Sequence, residues 1–218
     1  MTEITLVRHG QANSGAKDEK SYDRLSDLGH QQANWLGTYL AAEHQYDHVV
    51  CGTLLRQRQT ADGIPFASEK TRKSDDRLNE MSYFSLGEAL DQQKGITFPN
   101  SVTEFQQHVP KVLDHWINGE IDGPYETYGA FETRIISALL DAAQSGSRVL
   151  CVTSTGVITA VVRHILNLSP AQAAKVFLAT SHTSLHRITI SGEDLHLGQF
   201  GSTPHLDTPE RAHARTFV

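Results

Sequence analysis

The chain has the length of an ordinary single domain, with 218 residues, 39% of them hydrophobic and 20% charged, and a formal net charge of −6 at pH 7. This composition excludes a wholly disordered chain, and the acidic balance argues against general nucleic-acid binding. Its two cysteines exclude a disulfide framework, and no apolar run reaches the roughly 18 residues that a membrane helix needs. Met1 leads directly into strand-like sequence, so we expect no signal peptide and a cytoplasmic protein.

The predicted elements begin with strands and helices in alternation. Short β-branched apolar runs predict strands, and apolar residues at helical spacing predict helices. The N-terminal elements are a strand over 3–7, a helix over 28–43, a strand over 46–51 and a helix over 54–63. Ser26 is the expected N-cap of the first helix, and Pro65 ends the second.

The segment from about 77 to 124 has a less regular pattern, with glycines and prolines between short helical pieces such as 109–116. We expect a lid-like helical insertion within a single domain that spans 1–218. The elements predicted after it are a helix over 128–143, a strand over 148–152, helices ending at 166 and 178, and a hairpin of strands over 185–190 and 195–200. The polar tail over 208–218 is expected to be loosely held.

Strands that alternate with helices predict a three-layer α/β/α sandwich with a mostly parallel central sheet. Ligands of such sheets bind beyond the carboxyl ends of the strands. This rule selects the loops that begin at Arg8, Gly52 and Thr153, each of which follows an apolar strand.

Arg8 and His9 stand side by side where the first strand ends, and Gly10 lets the backbone come close to a ligand. A guanidinium group matches the oxygens of a phosphate, and a histidine can attack phosphorus when one of its ring nitrogens is unprotonated. The alternative interpretation is a structural histidine that is hydrogen-bonded at the strand end.

Two further charged positions can complete such a site. Arg56 falls in the first turn of a predicted helix, where free amide groups favour an anion, whereas Arg58 points to another face. One of the two arginines can therefore serve a pocket while the other is a surface charge. Glu80 is either a surface carboxylate or, near a phosphate, a proton donor to a leaving alkoxide.

Taken together, these loops carry an ordered set of motifs. The set comprises Leu6-Val7-Arg8-His9-Gly10-Gln11, Leu25–Gly29 with Gln32-Ala33, the positions Leu54, Arg56, Gln59, Thr60 and Ala61, Leu78 with Glu80, the stretch 149–158, and Pro204-His205-Leu206. The pattern resembles the histidine phosphatase superfamily, the phosphoglycerate mutase-like proteins, over nearly the whole chain. The resemblance implies their α/β sandwich and a phosphatase or phosphomutase activity.

The resemblance also implies a role for each matching residue. His9 would be the nucleophile that becomes phosphohistidine, Arg8 and Arg56 would clamp the phosphoryl oxygens, and Glu80 would donate and accept the proton. No metal or other cofactor is needed, because the arginines neutralise the developing charge.

Polar residues beside the phosphate follow from the same resemblance. Gln11 and Asn13 would lie on the loop next to the phosphate. The small residue ahead of the second arginine motif is usually serine, and we interpret its replacement by Gly52 as tolerable.

One motif departs from the family pattern. Where Ser-His-Gly-Gly is typical, this sequence has Thr153-Ser154-Thr155-Gly156, which is closer to a branch with Thr-Ser-Gly-Gly. Ser154 would then replace the second catalytic histidine and supply a neutral hydrogen bond, with Thr155 beside it as a phosphate-binding residue. His182 is typical of a surface histidine, and the alternative is that it reaches the same pocket as a phosphate-binding residue.

No metal site is expected. His44 and His48, and likewise His182 and His186, are four residues apart, but neither pair fits on one predicted helix. The favoured hypothesis is a metal-independent phosphatase acting on a small phosphorylated molecule, without nucleic-acid or membrane partners and with a homodimer left open. The alternatives are a phosphomutase and a catalytically weak protein that binds a phosphorylated ligand as a scaffold. Substrate specificity is expected to depend on residues 77–124.

Overall fold

A single mixed sheet runs through the computed structural model, which describes residues 1–13, 15–16, 18–43, 46–67 and 72–217. The strands in this part of the chain are β1 (Thr2–Arg8), β2 (His48–Cys51), β3 (Arg72–Ser74), β4 (Arg148–Thr153), β5 (Leu185–Ser191) and β6 (Asp194–Ser202). Their order across the sheet is β3-β2-β4-β1-β5-β6. The first four are mutually parallel, β5 is antiparallel to β1, and β6 is antiparallel to β5. The predicted mostly parallel sheet is therefore confirmed.

Helices cover both faces of this sheet. The α-helices among the described residues are α1 (Glu19–Tyr22), α2 (Asp27–Glu43), α3 (Leu55–Asp62), α4 (Tyr83–Lys94), α5 (Val102–Ile117), α6 (Tyr128–Ala143), α7 (Thr155–Leu166) and α8 (Pro170–Ala179). Successive strand residues point to opposite faces. Along β4, Val149 and Cys151 join the core under α6 and α7, whereas Leu150 and Val152 join the core under α2 and α3. This alternation produces the predicted three layers.

The segment over 77–124 is more regular than the sequence pattern indicated. It contains the whole of α4 and α5, and α5 continues through Pro110. A proline removes one backbone donor from a helix. The helix persists because the apolar side chains on either side of it, such as Val109, Val112 and Trp116, are buried in the core.

Three smaller features were not predicted. The short helix α1 and the polar edge strand β3 carry little hydrophobic periodicity, which explains why the sequence pattern missed them. The tail is held rather than loose, because the side-chain amide of Gln32 donates to the carbonyl oxygen of Ala214 at 2.6 Å and to the hydroxyl of Thr216 at 3.1 Å. Both cysteines are free thiols in the core. No helix in the described part of the chain combines the length and apolar content needed to cross a membrane.

Candidate active site

The carboxyl ends of β1 and β4 meet beneath a cavity of about 580 Å³. Parallel pairing in register places Arg8 beside Thr153, so the loop after β1 and the loop after β4 emerge together. The predicted site residues Arg8, His9, Gln11, Glu80, Thr155 and His182 all line this cavity. The cavity is therefore lined by residues of the loops that begin at Arg8 and Thr153, whereas the loop that begins at Gly52 contributes none of its described lining residues.

His9 is buried and held in one tautomer. Its Nδ1 atom lies 2.7 Å from the carbonyl oxygen of Gly10. Because a carbonyl only accepts, Nδ1 carries the hydrogen and donates, which leaves Nε2 with a free lone pair when the ring is neutral. Burial, together with the charges of Arg56 and Arg8, holds the pKa of His9 well below its usual range. At neutral pH the imidazole is therefore uncharged and chemically suited to act as a nucleophile.

Arg8 is buried among acceptors supplied by the C-terminal part of the chain. One terminal nitrogen, Nη1, donates to the carbonyl oxygens of Thr180 and of Phe217, the latter at 2.6 Å. The other, Nη2, donates to Nε2 of His182 at 3.0 Å. Its buried Nε atom has no hydrogen-bond partner among the described residues. The guanidinium group is thus fixed at the cavity floor with unused donor capacity.

Arg56 is fully buried at the start of α3, but it does not appear among the described residues that line the cavity. Its Nη1 atom lies 3.0 Å from Glu19 Oε1 and 3.0 Å from Asp23 Oδ1, and its guanidinium group lies 4.9 Å from the centre of the Tyr22 ring. Burial by itself would lower the pKa of Arg56, but Tyr22 and the nearby carboxylates outweigh it and raise the pKa. Arg56 is therefore a permanent charge beside the cavity, screened from it by α1.

Glu80 is held by two backbone amides. The amide of Met81 donates to Oε1 and the amide of Gly156 donates to Oε2, each at 3.0 Å. Burial raises the pKa of Glu80, against the opposing effects of the Gly156 hydrogen bond and the charge of Arg56. A carboxyl group with a raised pKa is a better proton donor near neutral pH.

Gly156 permits this position of Glu80. A β-carbon on Gly156 would overlap the Glu80 carboxylate, so a larger residue there would displace the carboxylate from the first turn of α7.

Ser154 does not face the cavity in this structure. It is fully buried and is absent from the described cavity-lining residues. Its hydroxyl oxygen accepts a hydrogen bond from the side-chain amide of Gln57 at 2.9 Å. The neighbouring Thr155 does line the cavity, and its buried hydroxyl has no partner among the described residues. Thr155 is therefore the better placed of the two hydroxyl groups for a phosphoryl oxygen.

Gln57 is a residue of the site that the sequence analysis missed. Its amide nitrogen also donates to the carbonyl oxygen of Leu78 at 3.0 Å, which ties α3 to the loop that precedes Glu80. A β-carbon at residue 52 would collide with the Gln57 amide. Gly52 thus leaves the space that the Gln57 amide occupies.

His182 is a cavity residue, and the surface interpretation was wrong. It is only 1% exposed, and its ring centre lies 5.9 Å from that of His9. Nδ1 lies 2.9 Å from the hydroxyl oxygen and 3.1 Å from the carbonyl oxygen of Thr216, while Nε2 accepts from Arg8. Burial and the adjacent Arg8 and His9 hold the pKa of His182 well below its usual range. It is a neutral ring that fixes the position of Arg8.

The turn that carries His182 is strained. Thr183 has φ of 56°, a conformation that β-branched residues rarely adopt. Its hydroxyl donates to the carbonyl oxygen of His182 at 2.7 Å and accepts from Nε2 of His205 at 2.9 Å. His205 belongs to the Pro204-His205-Leu206 motif, so this motif holds the turn that carries His182.

Of the remaining predicted residues, some line the cavity and others do not. Gln11 lines the cavity, and its side-chain oxygen accepts from the Ser26 hydroxyl at 2.8 Å. Asn13 is not among the described lining residues, and its amide donates to the carbonyl oxygen of Ser21 at 2.9 Å. Arg58 is exposed, as expected for the second arginine of the pair. His44 lies outside the described residues, and within them no group of three or more potential metal ligands occurs.

The comparisons with known proteins agree with this architecture. The fold is that of the phosphoglycerate mutase-like α/β proteins. The family model of the histidine phosphatase superfamily (branch 1) matches residues 4–203, so the chain belongs to that superfamily.

Individual relatives share the fold at low sequence identity. A mutant phosphoserine phosphatase from Entamoeba histolytica, bound to phosphoserine, superimposes with a TM-score of 0.69 at 20% identity, covering 94% of this chain and 100% of that one. A mycobacterial glucosyl-3-phosphoglycerate phosphatase gives a TM-score of 0.64 at 20% identity, covering 93% of this chain and 99% of that one.

A curated sequence relative matches over a shorter stretch. The mitochondrial serine/threonine-protein phosphatase PGAM5 of Xenopus laevis is 35% identical over 80 residues, which is 35% of this chain. The match spans 28% of the length of that protein. These comparisons support phosphatase activity in general terms.

Proposed function

We propose that this protein is a metal-independent phosphatase that hydrolyses a small phosphate monoester through a phosphohistidine on His9. The observation that carries the proposal is the tautomer of His9. Its Nδ1 hydrogen is committed to the Gly10 carbonyl, which leaves the lone pair of Nε2 for attack on phosphorus, beside the buried charge of Arg8. Membership of the superfamily, and the phosphatase names of its structural neighbours, support the same activity.

The reaction proceeds in two balanced steps. In the first, Nε2 of His9 forms a bond to phosphorus while the bond to the ester oxygen breaks, and Glu80 gives its proton to the departing alkoxide. In the second, the Glu80 carboxylate takes a proton from water as the water oxygen attacks phosphorus. The phosphorus–nitrogen bond then breaks, and inorganic phosphate leaves with His9 neutral again.

The other cavity residues stabilise the transferring group. Arg8 supplies permanent positive charge to the phosphoryl oxygens, and Thr155 and Gln11 supply neutral hydrogen bonds. His182 completes the phosphate site by holding Arg8, and Arg56 contributes its charge from beneath α1. Ser154 acts indirectly, by fixing Gln57 and the loop before Glu80.

The activity is tested by turnover of an aryl phosphate in the presence of a chelator. We expect turnover to persist with chelator and to disappear in His9→Ala, because the nucleophile is lost. The exposed His196 on β6 provides a matched control, and His196→Ala should keep the wild-type rate. Equal rates in the wild-type protein and a folded His9→Ala variant would refute the scheme.

A further inference from the structure

One side of the cavity is built from aromatic rings rather than from charged groups. Tyr83 and Phe84 come from α4, Phe98 from the connection after it, and Phe105 from α5. We call these four residues the aromatic wall. Each is half-buried, and their rings contact one another, with centre-to-centre distances of 5.6 Å for Phe84 and Phe98 and 5.2 Å for Tyr83 and Phe105.

The hydroxyl group of the wall and polar groups at its rim already have partners within the protein. The Tyr83 hydroxyl lies 2.7 Å from Nδ1 of His108, a residue outside the cavity lining. At the rim, the backbone amide of Asn100 donates to Glu104 at 2.7 Å, and the Ser101 hydroxyl caps α5. A ligand at the wall therefore meets ring faces and edges, with few groups free to hydrogen-bond.

The charges in the cavity also disfavour a second anionic group on the ligand. Among its described lining residues Arg8 is the one permanently charged cation, and it lies on the floor beside His9, whereas Glu19 and Glu80 contribute two carboxyl groups. Once Arg8 engages the phosphoryl group, a second anionic group on the substrate would find the Arg56-paired carboxylate of Glu19, the carboxyl group of Glu80 and aromatic rings around it. Such a group would lose its hydration without gaining a partner.

From this arrangement we propose that the substrate is a phosphate monoester whose alcohol part is apolar, alkyl or aryl, and carries no carboxylate. The inference rests on the proposed phosphatase activity and specifies its substrate class. The phosphate lies on the floor against His9 and Arg8, and the apolar group extends along the aromatic wall. A cavity of about 580 Å³ has the size of sites that bury a drug-sized ligand.

The experiment uses n-alkyl phosphates from methyl to hexyl, whose leaving groups differ little in pKa. We expect kcat/KM to rise about fourfold per added methylene until the wall is covered, as burial of each methylene predicts. Phosphoserine and 3-phosphoglycerate should be poorer substrates than butyl phosphate. A flat series, or a preference for the carboxylated esters, would overturn the inference and leave the phosphatase activity standing.

A binding measurement separates this inference from the proposed function. Calorimetry with the matching alkylphosphonates, which are not hydrolysed, should show affinity that also rises with chain length. Rising affinity without turnover of any ester would refute the phosphatase and keep the apolar site. Flat affinity without turnover would refute both.

Variants in the aromatic wall locate the effect. Phe84→Ala should reduce the gain per methylene in both series, and Phe84→Leu should restore most of it. Leu166→Ala, at an exposed position outside the described cavity lining, is the matched control and should keep the wild-type series. If Phe84→Ala does not fold, the wild-type series and Phe84→Leu still decide. A wild-type gain per methylene in a folded Phe84→Ala protein would contradict the assignment of the wall.

Discussion

Gly156 stands where the first turn of α7 approaches the carboxylate of Glu80. A β-carbon there would overlap the carboxylate, and the Gly156 amide is one of the two donors that hold it. The placement of the proton donor therefore depends on a residue that has no side chain.

This dependence predicts the behaviour of Gly156→Ala. We expect kcat to fall about a hundredfold, because displaced Glu80 no longer reaches the ester oxygen. A loss of this size lies within the range that general acid–base catalysis contributes to the rate. The matched control is Gly129→Ala, since Gly129 lies in α6 with open space around it and should keep its activity. Steady-state kinetics on folded protein checks the prediction, and an unchanged kcat in Gly156→Ala would contradict it.

The residues of the site differ in how far the sequence predicts them. Arg8, His9 and Glu80 were predicted because each lies within one of the ordered motifs. The structure brings all three to one cavity. Ser154 was predicted to face the ligand, but its contact with Gln57, three positions into α3, depends on side-chain packing that no sequence pattern reveals. His182 was misjudged for a similar reason, since its burial comes from contacts with distant parts of the chain.

The tail after β6 forms part of the cavity and holds other residues of the site in place. The carbonyl oxygen of Phe217 accepts a hydrogen bond from Arg8. The hydroxyl group of Thr216 lies within hydrogen-bond distance of Nδ1 of His182 and of the side-chain amide of Gln32. A polar segment without periodicity predicts a loose end, and the sequence alone could not show these long-range bonds. The same limit applies to α5, of which the sequence pattern predicted only the piece over 109–116, whereas the helix spans Val102–Ile117.

The role of the tail is testable with Thr216→Val. Loss of the hydroxyl removes a hydrogen bond to His182, and one such bond contributes about 1 kcal/mol, so inhibition by inorganic phosphate should weaken about fivefold. Thr38→Val is the control, because Thr38 is exposed on α2 and its hydroxyl donates to the Asn34 carbonyl oxygen within that helix. Unchanged phosphate inhibition in Thr216→Val would show that the tail does not support the site.

For the whole molecule, the sheet order explains why the site has contributions from both ends of the chain. β5 runs antiparallel to β1 and pairs Leu185 with Val7, so the turn before β5 lies against the loop after β1. The amide of Thr183 donates to the Arg8 carbonyl at 3.1 Å, which brings His182 next to the predicted nucleophile. The alternation of strands and helices predicted the parallel part of this sheet, whereas the direction of β5 depends on pairing that spans most of the chain.

The phosphohistidine intermediate can be trapped during turnover. Protein quenched during turnover of an aryl phosphate should carry one acid-labile, base-stable phosphoryl group, and ³¹P NMR should place it on Nε2 of His9, since Nδ1 is bound to the Gly10 carbonyl. The His9→Ala variant should carry none. Turnover without any phosphoenzyme, or a phosphoryl group on Nδ1 or on another residue, would contradict nucleophilic attack by Nε2 of His9.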